Sequence, residues 1–209
     1  MLFILNYYAF FCGLKLNVVM KRIVIFASGS GTNAENIIQY FKKTNTARVI
    51  AVFTNNPNAG VIDKVQKYDV PIEIFTKTQL FEAEILQKIK VMNPDLIVLA
   101  GFLLQFPSVI IKAFPDKIIN IHPALLPKYG GKGMYGMYVH QAVVKNKELE
   151  TGITVHYVNE NYDEGAIIAQ QRVALTAVDT FATVAERIHE LEQEFFPVII
   201  ERILNQSIL

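Results

Sequence analysis

The chain has 209 residues, and its 20 Lys and Arg against 19 Asp and Glu give a formal net charge of +1. This balance argues against a nucleic-acid-binding surface, which needs a clustered excess of basic residues. A hydrophobic content of 52% is enough for one globular domain with a substantial core. The single cysteine, Cys12, excludes an intrachain disulfide and favours a reducing compartment such as the cytoplasm.

Residues 1–19 form an apolar, aromatic segment in front of Met20. Its longest charge-free run ends before Lys15 and is shorter than the roughly 20 apolar residues of a membrane span. The positive charge follows this run, whereas a secretory signal carries its charge in front. We therefore expect an extra N-terminal segment that arises from a start placed too early, with Met20 as the true start. The alternative is an apolar arm that packs on the domain or on a partner.

Residues 20–209 have the pattern of one α/β domain. Short Val- and Ile-rich runs predict five strands, at 22–27, 48–54, 70–75, 95–100 and 117–121. Amphipathic stretches predict helices between them, at 33–43, 60–68 and 79–92. Strands separated by helices of this length form crossover units in a parallel sheet. Because the strands are almost continuously apolar, we expect helices on both faces of the sheet.

The last third of the chain departs from this alternation. Runs 151–158 and 166–174 have no helix between them, which predicts an antiparallel pair at the edge of the sheet. Residues 180–204 predict a long final helix with a kink at Pro197. The fold class is therefore an open, mostly parallel, Rossmann-like sheet with antiparallel edge strands near the C-terminus. In such sheets ligands bind beyond the carboxyl ends of the strands.

A glycine-rich loop, SGSGTNA at 28–34, follows the first strand and opens the first helix. Glycines permit a tight turn, and the N–H groups at a helix start favour an anion, most often a phosphate. The loose dinucleotide-binding pattern is met, but the second strand ends at 53–56 without the carboxylate that this pattern requires. The loop therefore predicts a phosphate monoester site. The alternative is a plain tight turn whose helix is capped by Thr32 or Asn33.

The fifth predicted strand ends in Asn120 and His122. Residues two apart on a strand point to the same side, so these two side chains can converge on one small group. An amide N–H can hold a developing oxyanion, and a histidine can give or take the proton of a tetrahedral intermediate. The pair predicts acyl transfer. The alternative is a structural histidine.

Three further histidines are present. His140 and His189 lie on predicted helices and are interpreted as surface or packing residues. His156 alternates with apolar neighbours on a strand, so it is either a core residue or a wall of the site. No pair has a metal-ligand spacing and there is one cysteine, so we expect no metal site.

An acidic turn at 159–165 joins the last two predicted strands. A carboxylate close to His122 would favour the imidazolium and raise the histidine pKa. Spacing alone does not distinguish Asp163 from Glu164.

Five segments together resemble the phosphoribosylglycinamide formyltransferase family, and the resemblance runs from Lys21 to Leu204. They are ASGSGTN at 27–33, PDLIVLAGF at 94–102, NIHPALLPKY at 120–129, TGITVHYVNENYDEG at 151–165 and FFP at 195–197. The resemblance implies transfer of the formyl group of 10-formyltetrahydrofolate, as co-substrate, to the amine of glycinamide ribonucleotide in de novo purine biosynthesis. It implies small-molecule partners rather than nucleic acid or membrane, no metal, and a monomer or weak homodimer.

The resemblance also implies residue roles. It places three residues in the catalytic set, with Asp163 chosen over Glu164 by its D-x-G pattern: Asn120, His122 and Asp163. It assigns the ribonucleotide to Gly31, Thr32, Asn33 and Glu192. It assigns the folate to Leu103, Leu104, Gln105, Phe106 and Asn120. It further implies a cis peptide bond between Leu126 and Pro127.

The chain departs from the family in three places. Leu103-Leu104 stands where the family often has Met-Arg, which removes a charge beside the folate. The family's basic folate contact falls near Thr78, and Lys77 is the expected substitute. The loop 130–136, with four glycines in seven residues, is longer than usual, and its contacts are not predicted.

Two alternative functions remain open at the level of sequence. One is another folate-dependent formyltransferase, or a formyltetrahydrofolate hydrolase, of the same superfamily; the members that resemble this chain carry a further nucleic-acid-binding or regulatory domain that we do not expect here. The other is a non-catalytic nucleotide-binding module with this fold, against which the joint presence of Asn120, His122 and Asp163 argues.

Overall fold

The computed structural model describes residues 20–206, which form one mixed sheet of seven strands. The strands are β1 (Lys21–Phe26), β2 (Ala47–Thr54), β3 (Ile72–Ile74), β4 (Leu96–Leu99), β5 (Ile118–His122), β6 (Glu150–Tyr157) and β7 (Ile167–Ala174). Their order across the sheet is β3-β2-β1-β4-β5-β6-β7. The first five are parallel, and β6 and β7 join antiparallel at one edge, which confirms the predicted topology.

Helices follow most of the strands. They are α1 (Thr32–Thr44), α2 (Val61–Gln66), α3 (Lys77–Phe81), α4 (Ala83–Met92), α5 (Ser108–Ala113), α6 (Met137–Lys145) and α7 (Phe181–Gln206). The single helix predicted at 79–92 is wrong in two respects. The chain becomes helical earlier, because Thr76 and Gln79 form a capping box, and it breaks at Glu82, whose backbone is extended at φ −84° and ψ 175°. The short helix α5 was not predicted.

The sheet is covered on both faces, as its apolar strands predicted. Along β1 the side chains alternate: Ile23 and Ile25 belong to a core shared with α1 and α7. Val24 and Phe26 belong to a second core on the opposite face, shared with α4 and α5. Both faces of the sheet are covered by helices, so a ligand can reach the parallel strands only at their ends. In open sheets of this kind the ligand binds at the carboxyl ends.

The long helix α7 continues through Pro197 and packs on α1. Two bonds fix this pairing: the Tyr40 hydroxyl donates to Glu201 at 2.5 Å, and Thr46 donates to the same carboxylate at 2.6 Å. The bond to Glu201, together with burial, raises the pKa of Tyr40 to about 12. The pairing brings the middle of α7 beside the start of α1, where the glycine-rich loop lies.

The predicted extra segment at 1–19 lies outside the described residues, and a start at Met20 stays a prediction. Between residues 20 and 206 no helix combines the length and apolar character needed to cross a bilayer.

Candidate active site

A cleft of about 670 Å³ opens at the carboxyl ends of β1, β4 and β5. Its walls include the glycine-rich loop, the polar end of β5, the loop 131–136 and the middle of α7. The sheet rule for ligand sites therefore holds in this chain. Most residues assigned to a site by sequence line this single space.

Asp163 is the centre of the polar floor of the cleft. Its Oδ1 accepts a hydrogen bond from Asn120 Nδ2 at 3.3 Å, and its Oδ2 accepts one from the Gly131 backbone N–H at 2.9 Å. Its Oδ2 also lies 3.5 Å from His122 Nδ1. Glu164, by contrast, is exposed and accepts from Asn161. Of the two carboxylates that spacing alone did not distinguish, Asp163 is therefore the one that lies beside His122.

The Asp163 carboxylate is held ionised. Burial by itself would raise the pKa of Asp163, but His156, His122 and the Gly131 N–H together outweigh it and lower the pKa below its ordinary value. Its side chain is only 11% exposed, so these contacts act with little screening by water.

His122 is buried, and its two ring nitrogens have different surroundings. Nε2 lies 2.7 Å from the Tyr129 carbonyl oxygen, which accepts its proton, so Nδ1 is the nitrogen left to titrate. Burial lowers the pKa of His122, and the raising influence of Asp163 offsets this only in part. Asp163 raises the His122 pKa, as expected from a nearby carboxylate, but the net shift is downward because desolvation is larger.

Asn120 is fixed by His156, which lies opposite it on β6. His156 Nδ1 donates to the Tyr157 carbonyl at 2.8 Å, so in the neutral ring Nε2 accepts the Asn120 amide at 3.1 Å. Both N–H bonds of that amide are then engaged, one by His156 and one by Asp163. His156 is 2% exposed and lies behind Asn120. It is therefore both a core residue and a wall of the site, the two alternatives that the sequence left open.

The glycine-rich loop presents free backbone donors to the cleft. The N-cap of α1 is Gly31, in the left-handed region at φ 76°. Among residues 20–206 no side chain caps this helix, so the alternative of a Thr32 or Asn33 cap is wrong. A Cβ at Gly31 would lie 2.4 Å from Val61 Cα, so only glycine fits. The loop is anchored by Ser28, whose hydroxyl donates to Asn55 at 2.6 Å and accepts the Leu103 N–H at 3.1 Å.

Asn33 faces α7 and is bonded at both ends of its amide. Its Nδ2 donates to Glu192 Oε2 at 2.9 Å, and its Oδ1 accepts from Gln193 at 3.1 Å. Glu192 also lies 3.7 Å from His189 Nδ1, and this contact raises the pKa of His189. The predicted substrate residues Asn33 and Glu192 are therefore in direct contact, across 159 residues of sequence.

His140 and His189, interpreted from the sequence as surface or packing residues, also line the cleft. His140 is 5% exposed, its Nδ1 has no hydrogen-bond partner among residues 20–206, and burial lowers its pKa. A sequence signal existed for His189, which lies three residues before Glu192 and therefore on the same side of a helix. The sequence carried no such indication for His140, because it did not predict which face of the helix containing His140 would be buried.

Apart from Asn120, the residues assigned to folate divide into two groups. Leu103 is 48% exposed and lines the main cleft. Leu104, Gln105 and Phe106 line a smaller adjoining pocket of about 60 Å³ that shares Asn120 and Asp163 with the cleft. The Phe106 ring is 5% exposed and meets Phe26 edge-on at 5.0 Å, so most of it belongs to the core.

Three remaining expectations concern the surroundings of the cleft. The bond between Leu126 and Pro127 is cis, as predicted. Lys77 and Thr78 are exposed on α3 and line neither pocket. Within residues 20–206, no three His, Cys, Asp or Glu side chains are grouped as metal ligands.

The sequence was compared with known proteins. A profile of the Formyl transferase family matches residues 21–200. The phosphoribosylglycinamide formyltransferase of Bacillus subtilis is 36% identical over 192 residues, covering 89% of this chain and 96% of that protein. The chloroplastic phosphoribosylglycinamide formyltransferase of Arabidopsis thaliana is 33% identical and covers 90% of this chain, which spans 67% of that longer relative.

The fold was compared with solved structures. The crystal structure of glycinamide ribonucleotide transformylase 1 from Geobacillus kaustophilus aligns with a TM-score of 0.81 at 36% identity. The alignment covers 88% of this chain and 99% of that one. The same seven-stranded architecture is thus shared over nearly the full length of both proteins. By sequence and by structure, this chain belongs to the formyl transferase family, among the phosphoribosylglycinamide formyltransferases.

Proposed function

We propose that this chain transfers the formyl group of 10-formyltetrahydrofolate to the amine of glycinamide ribonucleotide, with Asn120, His122 and Asp163 as its catalytic residues. The observation that carries the proposal is the position of the Asp163 carboxylate, 3.3 Å from Asn120 and 3.5 Å from His122 on the floor of one cleft. This cleft also holds an uncapped helix start suited to a phosphate. Acyl-transfer groups and an anion site therefore share one binding space.

His122 acts on the proton of the attacking amine. Its lowered pKa keeps the resting imidazole neutral near pH 7, so the Nδ1 lone pair is free to accept that proton. The Tyr129 carbonyl holds the ring by Nε2 and keeps Nδ1 directed toward Asp163. The imidazolium that forms is then stabilised by the ionised carboxylate.

Asn120 stabilises the negative oxygen of the tetrahedral intermediate. Both of its N–H bonds are engaged at rest, at 3.1 Å with His156 and at a longer 3.3 Å with Asp163. The longer bond is the one that the oxyanion replaces. His156 keeps the amide oriented while this exchange takes place, so we expect it to be a positioning residue rather than a reacting one.

The reaction forms one bond and breaks one bond at the formyl carbon. The substrate amine forms a C–N bond to the formyl carbon, and its proton passes to His122 Nδ1. The bond from the formyl carbon to the folate nitrogen then breaks, and that nitrogen receives a proton from His122. The products are the formamide of the ribonucleotide and tetrahydrofolate.

The two ends of the cleft receive the two substrates. The uncapped N–H groups at Gly31, Thr32 and Asn33 suit the ribonucleotide phosphate, and Glu192 suits its amine end. The main cleft beside the half-exposed Leu103 has room for the folate ring. The adjoining pocket lined by Leu104 and Gln105 holds only about 60 Å³ and extends this surface. We propose the cytoplasm as the location and a monomer or weak homodimer as the active form.

The deciding experiment mixes the purified protein with glycinamide ribonucleotide and 10-formyltetrahydrofolate and follows both products. We expect formylated ribonucleotide and tetrahydrofolate in equal amounts. Release of formate without formylated ribonucleotide would instead identify a formyl-folate hydrolase. Tight binding of both ligands without either product would identify a non-catalytic module.

A further inference from the structure

The cleft contains few positive charges for a site that would bind an anion. Among its lining residues the one lysine or arginine is Lys132. His122 and His140 have lowered pKa values because of burial, and the raised pKa of His189 comes from its contact with Glu192, which offsets the added charge. Asp163 and Glu192 add negative charge to the walls. A cation that balances these carboxylates would strengthen the binding of a phosphate at the start of α1.

Lys132 is exposed and unpaired, unlike a nearby lysine. Lys128 forms an ion pair with Glu148 at 3.0 Å and does not line the cleft. Lys132 has no ion-pair partner among residues 20–206. Its charge is therefore available to a ligand without breaking an existing contact.

A glycine in the left-handed region stands on each side of Lys132. Gly131 and Gly133 have φ values of 93° and 90°, a region that other residues enter at a cost. A Cβ at either position would meet nothing within 4 Å, so conformation and not crowding accounts for these glycines. Lys132 thus lies between two glycines on a short segment that lines the cleft.

The same segment is bonded to the catalytic groups. The Gly131 N–H donates to Asp163 at 2.9 Å, and the Tyr129 carbonyl, two residues earlier, accepts from His122 at 2.7 Å. Lys132 therefore follows directly after a residue that touches the reacting end of the cleft.

We propose that Lys132 is a specificity-determining residue that selects the phosphorylated substrate by binding its phosphate together with the N–H groups at the start of α1. The inference rests on the proposed function, since it assigns a further contact to the same ribonucleotide. A charge-assisted hydrogen bond from lysine to phosphate explains how a cleft rich in carboxylates binds a dianion. It also gives the glycine-rich loop 130–136 the contact that its sequence did not reveal.

The test compares glycinamide ribonucleotide with the corresponding ribonucleoside, which lacks the phosphate, in the wild-type protein and in Lys132→Met. We expect kcat/KM for the ribonucleotide to fall about 10- to 100-fold in the variant, the range of a charged hydrogen bond. The kcat/KM for the ribonucleoside should stay unchanged, so the variant should lose most of its preference for the phosphorylated substrate. The KM for 10-formyltetrahydrofolate should also hold. Lys132→Arg should retain most of the preference.

Lys128→Met is the matched control, because it removes a lysine four residues away that lies outside the cleft, and it should keep the wild-type preference. Equal losses for both substrates in Lys132→Met would overturn the inference, as would no loss at all. A rise confined to the KM of the formyl folate would assign Lys132 to the folate carboxylates and overturn it too. Absence of formyl transfer by the wild-type protein would instead refute the proposed function itself.

Discussion

The two ends of the cleft are built differently. At the end of β5, Asn120, His122 and Asp163 are largely buried, and each is bonded to other protein groups. At the other end, among residues 20–206, no side chain caps the start of α1. Lys132, on the loop that follows Gly131, is exposed and has no ion-pair partner within the same range. Groups that act on a transition state gain from being fixed in advance. Groups that bind a phosphate must leave their donors free until the substrate arrives. The end of the cleft at β5 is therefore suited to catalysis, and the end at the start of α1 is suited to substrate binding.

Replacing His122, at the catalytic end of the cleft, should have the largest effect on turnover. In His122→Ala no group remains to take the proton of the amine, and we expect turnover to fall by at least about 10²- to 10³-fold, the loss seen for single groups that stabilise an acyl-transfer intermediate. Binding of each substrate should change little, because the group acts on the transition state. Single-turnover kinetics and separate titrations measure the two effects. Near-wild-type turnover would refute the mechanism.

Asp163→Asn tests whether the Asp163 carboxylate acts on the charge of His122 at the catalytic end of the cleft. Wild-type kcat/KM should fall as the pH drops through the His122 pKa, which lies below its ordinary value of 6.5, because the protonated ring cannot accept a proton. Asp163 raises that pKa, so its neutral replacement should lower it further and move the acid limb to lower pH. Turnover should also fall about 10- to 100-fold, because the imidazolium loses its counter-charge. An unmoved limb in the pH profile would show that Asp163 does not act through His122.

Asn33→Ala tests the open end. Loss of the bond to Glu192 frees that carboxylate, so we expect the Kd of the ribonucleotide to rise about tenfold and that of the folate to stay unchanged. Asn36→Ala is the matched control, since Asn36 lies on the same helix and bonds the same stretch of α7 through the Gln193 carbonyl at 2.8 Å, outside the cleft. Calorimetric titration of each ligand measures both. Equal weakening of both ligands would mean that the loop serves a different ligand.

The smallest effect is expected from removing residues 1–19. A protein that begins at Met20 should match the full chain in melting temperature and in kcat/KM, because the described core and cleft are built from residues 20–206. Thermal unfolding and the formyl-transfer assay check this. A fall of several degrees in melting temperature would show that the apolar segment belongs to the fold.

Local patterns explain why part of the site was visible in the sequence. Asn120 and His122 are two residues apart on a strand, and the glycine-rich loop follows the first strand directly, so their roles depend on short-range geometry. Glu192 and Asp163 were named by resemblance, since an acidic residue on a helix or in a turn has no local mark of function. The contact of Asn33 with Glu192 spans 159 residues and depends on how α7 packs on α1.

The sequence by itself determined the strand alternation, the parallel sheet with its antiparallel edge, and the loops at which a ligand binds, because periodicity and turn residues act over a few positions. Tertiary structure alone decided which carboxylate of the acidic turn meets His122, and that burial outweighs Asp163 in setting the His122 pKa. It also decided that His140 and Lys132 border the cleft. Desolvation and charge contacts sum over every element around a group, and only the packed chain brings those elements together.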